Sequence, residues 1–363
     1  MKKTYRFAVF VISTFLFLYG IVLAKDFLYP ITFGILLSYL LYPIANYLEK
    51  KGLPRILSIL LSIILATIVL TGITVFVINR IGAFSDELPS FREKASQNIR
   101  LLEEALKNFI GIPDYITDKF INRQLFDLST KSEEIFSATS GTIFAIGMQP
   151  VYIFLFLYYR TKFAYFILKA VGKEKRLIAI RVLKEISTVA TRYMLGVTTV
   201  VLILCVFNSV GYLIIGLKYS FLLGVVSAIF SFIPYFGNFI GGIFPFMFAL
   251  LTQDSYVYSL RIVVFVFIVH FLENNILSPN IVGSNIRLNP FFVILGLIMG
   301  AMLWGIPGML VIIPFLAMLK IVISNIPELQ PYSYLLGPTG TKKHAITVQN
   351  IRKFWAQIRK GMS

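Results

Sequence analysis

Glu273 is a carboxylate set inside a long apolar stretch, in the segment His270-Phe271-Leu272-Glu273-Asn274-Asn275. At the centre of a bilayer a charged side chain costs roughly 2.5 to 3.5 kcal/mol on insertion scales, so one that is kept there calls for a reason. His270, Glu273 and Asn274 stand three and four residues apart, which places them on one helical face. Such a face can carry a proton or a cation, with the amides of Asn274 and Asn275 supplying neutral oxygens. A bland reading stands beside it: the cluster marks the end of a span, since Pro279 comes within two turns. His270 taken alone reads as a satisfied buried histidine.

Two apolar runs flank this segment, and neither can be one simple helix across a membrane. Ser220 to Leu251 is broken at Pro234-Tyr235-Phe236-Gly237, and Phe291 to Ile323 is broken at Gly305-Ile306-Pro307-Gly308. A straight helix needs only about 20 residues to cross the hydrocarbon core. Each run is longer than that. Two half-helices of about 15 residues, each about 22 Å long, fit a folded-back hairpin, and single crossings are the rival arrangement. Backbone freed by Pro and Gly at membrane depth survives where protein or a water-filled cavity satisfies it, so paired breaks point to a transport site. Half-helices ending at Pro234, Gly237, Gly305, Pro307 and Gly308 would offer carbonyl and N–H groups to a polar solute or a desolvated ion. Asn238, just after the first break, and Asn285 and Asn289, before the second run, are further polar candidates, although Asn is also an ordinary turn residue. Arg287 could neutralise Glu273 or an anionic solute, or snorkel to a headgroup.

Composition sets the class in which those elements must work. With 57% hydrophobic, 15% aromatic and 14% charged residues, the chain reads as an all-α, polytopic transmembrane protein of about eight membrane elements. The net charge of +17 is explained by membrane topology, and no nucleic-acid partner is expected. Cys205 is the one cysteine, which excludes a disulfide framework. No P-loop, H-E-x-x-H or G-x-S-x-G pattern occurs. The expectation is a non-enzyme with no cofactor and no metal centre.

Residues 1–79 carry three candidate spans, Arg6 to Ala24, Phe27 to Leu48 and Ile56 to Ile78. Lys50, Lys51 and Arg55 mark a cytoplasmic loop between the last two. Residues 80–138 form a polar extracytoplasmic segment in which Ser90-Phe91-Arg92-Glu93 has capping-box spacing and Ile99, Leu102, Leu106 and Phe109 recur at helical intervals. Residues 139–192 hold a fourth span, kinked near Gln149-Pro150, and a basic stretch from Arg160 to Arg192. There Leu177, Ile180, Leu183, Ile186 and Val189 suit an amphipathic helix on anionic lipid. Residues 193–325 form the bundle with the two broken elements, with a fifth span at Tyr193 to Ile215 and another at Tyr256 to Leu277. Residues 326–363 are a basic tail with Val348, Ile351, Trp355 and Ile358 on one helical face, and both termini are expected in the cytoplasm.

The second half resembles the autoinducer-2 exporter family of bacterial membrane transporters. The resemblance rests on Phe232-Ile233-Pro234-Tyr235-Phe236-Gly237 with Gly241-Gly242 and Pro245, on Glu273-Asn274-Asn275-Ile276-Leu277-Ser278-Pro279-Asn280-Ile281-Val282-Gly283, on Leu288-Asn289-Pro290, and on Gly305-Ile306-Pro307-Gly308-Met309-Leu310 with Pro314. It covers about Tyr193 to Ile323 strongly, and over Met1 to Arg192 it rests on the span pattern, the polar segment after the third span and the basic loop after the fourth. It implies a multi-pass secondary transporter of the bacterial inner membrane, homo-oligomeric, with a pentamer among the candidate assemblies. It also implies either export of a small polar signalling solute such as autoinducer-2 or sodium or proton antiport. The partners expected are therefore the lipid bilayer, a small polar solute and a coupling proton or sodium ion. A passive channel and a membrane scaffold whose polar segment binds an extracytoplasmic protein are the rival functions.

Overall fold

A computed structural model describes residues 2–85, 97–98, 100–101, 139–233, 236–282 and 288–338. Among these residues the regular structure is helical throughout, as the composition implies. Helices α1 (Lys2–Leu23), α2 (Lys25–Lys50), α3 (Arg55–Ser85) and α4 (Thr139–Ala170) make up the first part. Helix α5 (Arg176–Ile215) leads into α6 (Ser220–Phe230), α7 (Gly237–Thr252) and α8 (Val257–Leu272). A π-helical turn, Glu273–Leu277, joins α8 to α9 (Ser278–Ile281), and α10 (Pro290–Trp304), α11 (Ile306–Ser324) and α12 (Gln330–Leu336) complete the order. Six of the described stretches are long and apolar enough to cross a membrane: Lys25–Lys50, Arg55–Arg80, Gly147–Ala170, Arg176–Ile215, Val257–Ile281 and Ile306–Ser324. The remaining apolar helices are shorter, α6, α7 and α10 among them.

In the first part, Leu41 and Ala45 of α2 pack on Ile59 and Ile63 of α3 and on Ile153 and Leu157 of α4. Gln149 donates through Nε2 to the Pro30 carbonyl at 3.1 Å, and Gly34 lets Tyr152 approach α2 closely. Helix α4 runs on through Pro150 without interruption.

Helix α5 is the axis of the second part. Its 40 residues span about 60 Å, and small residues along it admit neighbours one after another. Gly196 lies against the backbone of Val282, Ser209 against Gly224 of α6, and Gly211 against the ring of Phe265 in α8. The helix ends at Gly216, whose left-handed φ of 101° lets the N–H groups of Gly216 and Leu217 close on the Tyr212 carbonyl.

The basic stretch does not form a helix of its own. Its first residues complete α4 to Ala170, the chain turns near Gly172, and Arg176 to Arg192 is the first part of α5 itself. With no Pro after Arg176 and no backbone break, nothing stops the helix at the point where its surface turns apolar. Leu177 and Ile180 are exposed, whereas Leu183, Ile186 and Val189 are half-buried.

Both broken runs fold back on themselves. In the first, Tyr219 meets Phe248 edge-on with centroids 5.7 Å apart, Ser227 lies beside Gly241, and Phe230 stacks on Phe244 at 5.2 Å. These pairs keep a near-constant sum of residue numbers, which is the signature of two antiparallel helices. In the second, Gly296 faces Leu316 and Gly300 faces the Gly308 backbone, again antiparallel. Residues of the second hairpin, Val293, Leu297, Ile313 and Ala317, share a core with Tyr193 of α5. Residues of the first, Leu223, Phe248 and Ala249, share one with Tyr212 and Ile262.

Within the polar segment, the structure describes Asn98, which is buried and donates through Nδ2 to the carbonyls of Gln253 at 2.6 Å and Leu250 at 3.2 Å. It thereby caps orphan carbonyls at the end of α7. The capping-box residues from Ser90, the rest of the helical pattern to Phe109 and the tail from residue 339 lie outside the described residues.

Candidate functional site

The first hairpin bends between Ser231 and Phe236, and Asn238 is the second residue of the helix that leaves the bend. Gly237 sits against the Phe230 carbonyl, where a Cβ would overlap that oxygen, so the two arms meet backbone to backbone. Asn238 is only 5% exposed. Its Nδ2 donates to Glu273 Oε2, and its Oδ1 accepts from the Ser231 hydroxyl at 2.8 Å. Behind this pair, Ser227 donates to the Gly241 carbonyl at 2.8 Å and lies 3.2 Å from the Tyr212 hydroxyl. A polar string thus leads from Glu273 through Asn238 to Ser231 at the bend. Each buried member has a partner, as a polar group in an apolar bundle requires.

Glu273 is the first residue of the π-helical turn. The Ser278 N–H bonds back five residues to the Glu273 carbonyl, and the extra residue in the turn rotates α9 relative to α8. The cause lies in Pro279. A proline clashes with the carbonyl of the preceding turn and has no N–H to give, and a widened turn relieves both. The helix continues through Pro279 to Ile281.

His270 and Asn274 share a face, with Asn274 Nδ2 3.0 Å from the ring Nε2 of His270. His270 also packs on Phe239, ring centroids 4.3 Å apart, one residue after Asn238. The histidine is half-buried and Asn274 is exposed. Asn275 is satisfied locally, donating to the Phe271 carbonyl at 2.8 Å.

The second bend is built differently. Gly305 turns the chain with φ 67° and ψ −141°, a conformation that a side chain resists. Pro307 occupies the first turn of α11, where its missing N–H costs nothing. Gly308 is a packing glycine, since any Cβ there would overlap the Gly300 carbonyl. Trp304 donates through Nε1 to the Ile21 carbonyl at 3.3 Å, which ties this bend to α1. Among the described residues no hydrogen bond links the bend to Glu273. Asn289 is a helix cap: its Oδ1 accepts from the Phe291 N–H at 3.1 Å. Pro234, Asn285 and Arg287 lie outside the described residues.

The structure therefore gathers Glu273, Asn238, Gly237 and His270 and leaves Gly305, Pro307 and Gly308 in a separate bend. Sequence reasoning missed Ser231, Ser227 and Tyr212. The signal was present, since Ser227 and Ser231 are four residues apart on one face of a short apolar helix.

A helical bundle with a carboxylate held at the bend of a broken hairpin, inside a polytopic membrane chain, defines a membrane transporter. Residues 10–328 match the AI-2E family transporter profile. The chain belongs to that family, as its motifs imply. YrrI of Bacillus subtilis, named as a candidate transport protein, is 29% identical over 307 residues, covering 82% of this chain and 86% of its own length. YueF of the same organism, named in the same way, is 27% identical over 341 residues, covering 87% and 88%. The AI-2 transport protein TqsA of Escherichia coli is 23% identical over 328 residues, covering 88% and 91%.

Proposed function

We propose that the chain is a secondary transporter of the bacterial inner membrane in which Glu273 and Asn238 form the coupling-ion site and the bend of the first hairpin borders the solute path. The observation that carries this reading is the bond between Asn238 and Glu273, which ties the bend of the first hairpin to the π-helical turn. Moving an ion on or off Glu273 alters the charge beside Asn238. That change alters how firmly the hairpin is held, which is how a gradient can drive a conformational step.

The solute is a small polar molecule of the autoinducer-2 kind, moved outwards in exchange for a proton or sodium ion. The name of TqsA and the uncharged polar lining of the hairpin support this choice. Both termini lie in the cytoplasm, in keeping with the basic loop at Lys50 and Lys51 and the basic tail, and the assembly is a homo-oligomer. Residues 193–325 are the transport bundle, and residues 1–79 with the fourth span are its frame. His270, packed on Phe239, and Asn274 border the ion site, and Asn275, Pro279 and Arg287 are assigned to its periphery.

A counterflow screen of polar metabolites in proteoliposomes, run with and without an imposed proton or sodium gradient, tests the assignment. Saturable uptake that tracks the gradient supports it. Flux that does not saturate and ignores both gradient and counter-solute assigns a passive channel instead.

A further inference from the structure

A cleft of about 490 Å³ opens where the start of α3 meets α4, lined by Pro54, Arg55, Ile56, Tyr158, Thr161 and Lys162. It lies in the part of the bundle packed around Ile59 and Leu157. Arg55 is pinned there by two bonds, Nη2 to the Leu157 carbonyl at 2.8 Å and Nη1 to the Thr161 hydroxyl at 3.2 Å. Its Nε is buried and has no hydrogen-bond partner. Arg160 gives Nη2 to Glu49 Oε2 at 2.5 Å, and its Nη1 is likewise buried with no partner. Lys162 contacts the ring of Tyr159, with Nζ 5.6 Å from the centroid. Glu49 Oε1 is buried and unpartnered as well, so the second Arg160 donor has an acceptor at hand within its own ion pair.

The charge is unbalanced as well. Lys50, Lys51, Arg55, Arg160 and Lys162 converge on this end of the bundle, and Glu49 is the one carboxylate in residues 49–55 and 158–170. Aromatic rings hold the cations in place, Arg160 lying 5.0 Å over Tyr42 and Arg55 5.9 Å over Tyr158. Interleaved tyrosines and basic residues at a helix end are the composition of a membrane interface. Beyond the cleft, Ile56, Leu57, Leu60 and Leu61 of α3 are exposed and apolar, in reach of acyl chains.

We propose that this cleft binds a phosphate ester, and that its occupant is an anionic membrane phospholipid whose headgroup phosphate sits against Arg55 and Lys162 while its chains run along α3. A guanidinium beside a flexible ammonium is suited to phosphate oxygens. The first turn of α3 adds backbone N–H groups and a positive dipole end. A bound lipid here would join α3 to α4 across the loop after α2.

The test uses the full chain purified in detergent. Phosphatidylglycerol, phosphatidylcholine and inorganic phosphate are the probes, and retained lipid is counted by native mass spectrometry. Wild type should retain phosphatidylglycerol in preference to phosphatidylcholine. Arg55→Gln/Lys162→Gln should lower that retention about tenfold, while Lys173→Gln/Lys175→Gln, with the same charge loss in the α4–α5 turn, should leave it unchanged. Should the first double variant fail to fold, Lys162→Gln alone, which breaks no hydrogen bond described above, should still lower retention about threefold. Equal loss in both double variants, or equal retention of phosphatidylcholine, overturns the proposal. Displacement of the lipid by millimolar inorganic phosphate overturns the lipid assignment and makes the occupant a soluble phosphate ester.

Discussion

At the bend of the first hairpin Asn238 reaches across to Glu273 with Ser231 behind it, whereas at the bend of the second Gly305 turns the chain by backbone conformation alone. From Ala301 to Ile313 the second bend offers no carboxylate, amide or hydroxyl. Both hairpins close on glycines, Gly237 against Phe230 and Gly308 against Gly300, and the second arm of each carries a buried internal proline, Pro245 and Pro314. The backbone plan is thus repeated and the chemistry is not. The first hairpin is wired to an ionisable group. The second is anchored by Trp304 to α1 and by its core to Tyr193. Paired breaks in a membrane chain therefore need not be paired binding sites, and side chains at the bend tell them apart.

That contrast can be broken by substitution. The largest effects should come from Gly237→Val and Gly308→Val, which force a side chain into a facing carbonyl in each hairpin. Overpacking against backbone costs on the order of 3 kcal/mol, so both variants should melt well below wild type and to a similar extent. If only one of them does so, the hairpins do not share a packing plan. Asn238→Ala should separate function from stability. It strips a hydrogen bond from a carboxylate, worth about 1.5 to 3 kcal/mol, so gradient-driven flux should fall roughly tenfold to a hundredfold. Size-exclusion elution should remain that of wild type.

Gly305→Ala should do the reverse. Strain in this backbone region costs about 1 to 3 kcal/mol, visible as a lowered melting temperature, while flux per folded protein is retained. A large loss of flux with unchanged melting would move the second bend into the transport site. Asn289→Ala, which removes the cap of α10, should cost about 1 kcal/mol in thermal unfolding and leave transport intact.

Much of this contrast is legible in the residues. The two runs exceed one membrane crossing, and their Pro and Gly breaks place both bends within a few residues of where they lie. Glu273 stands out because a carboxylate in an apolar span is expensive. The partnership of Glu273 with Asn238 is not legible, since 35 residues separate them and only the packing of α7 on α8 brings them together. The π-helical turn is hidden for a related reason. Pro279 reads only as a residue close beyond the span, and whether a helix stops or widens at a proline depends on the neighbours that satisfy it. The basic stretch misleads because charge reports what a surface faces, whereas helix continuity depends on the absence of a breaker between Arg176 and Ile215. Asn98 illustrates the same limit, a turn-type residue whose cap on α7 only tertiary structure reveals.

The most direct test compares Glu273→Gln with wild type in proteoliposomes at equal protein content, measuring solute accumulation driven by a proton or sodium gradient. Glutamine keeps the shape of the side chain and can still accept from Asn238, but it cannot carry the charge. The expected result is loss of gradient-driven accumulation in a protein that elutes and melts like wild type. Full gradient-coupled accumulation by Glu273→Gln would contradict the role given to the first hairpin.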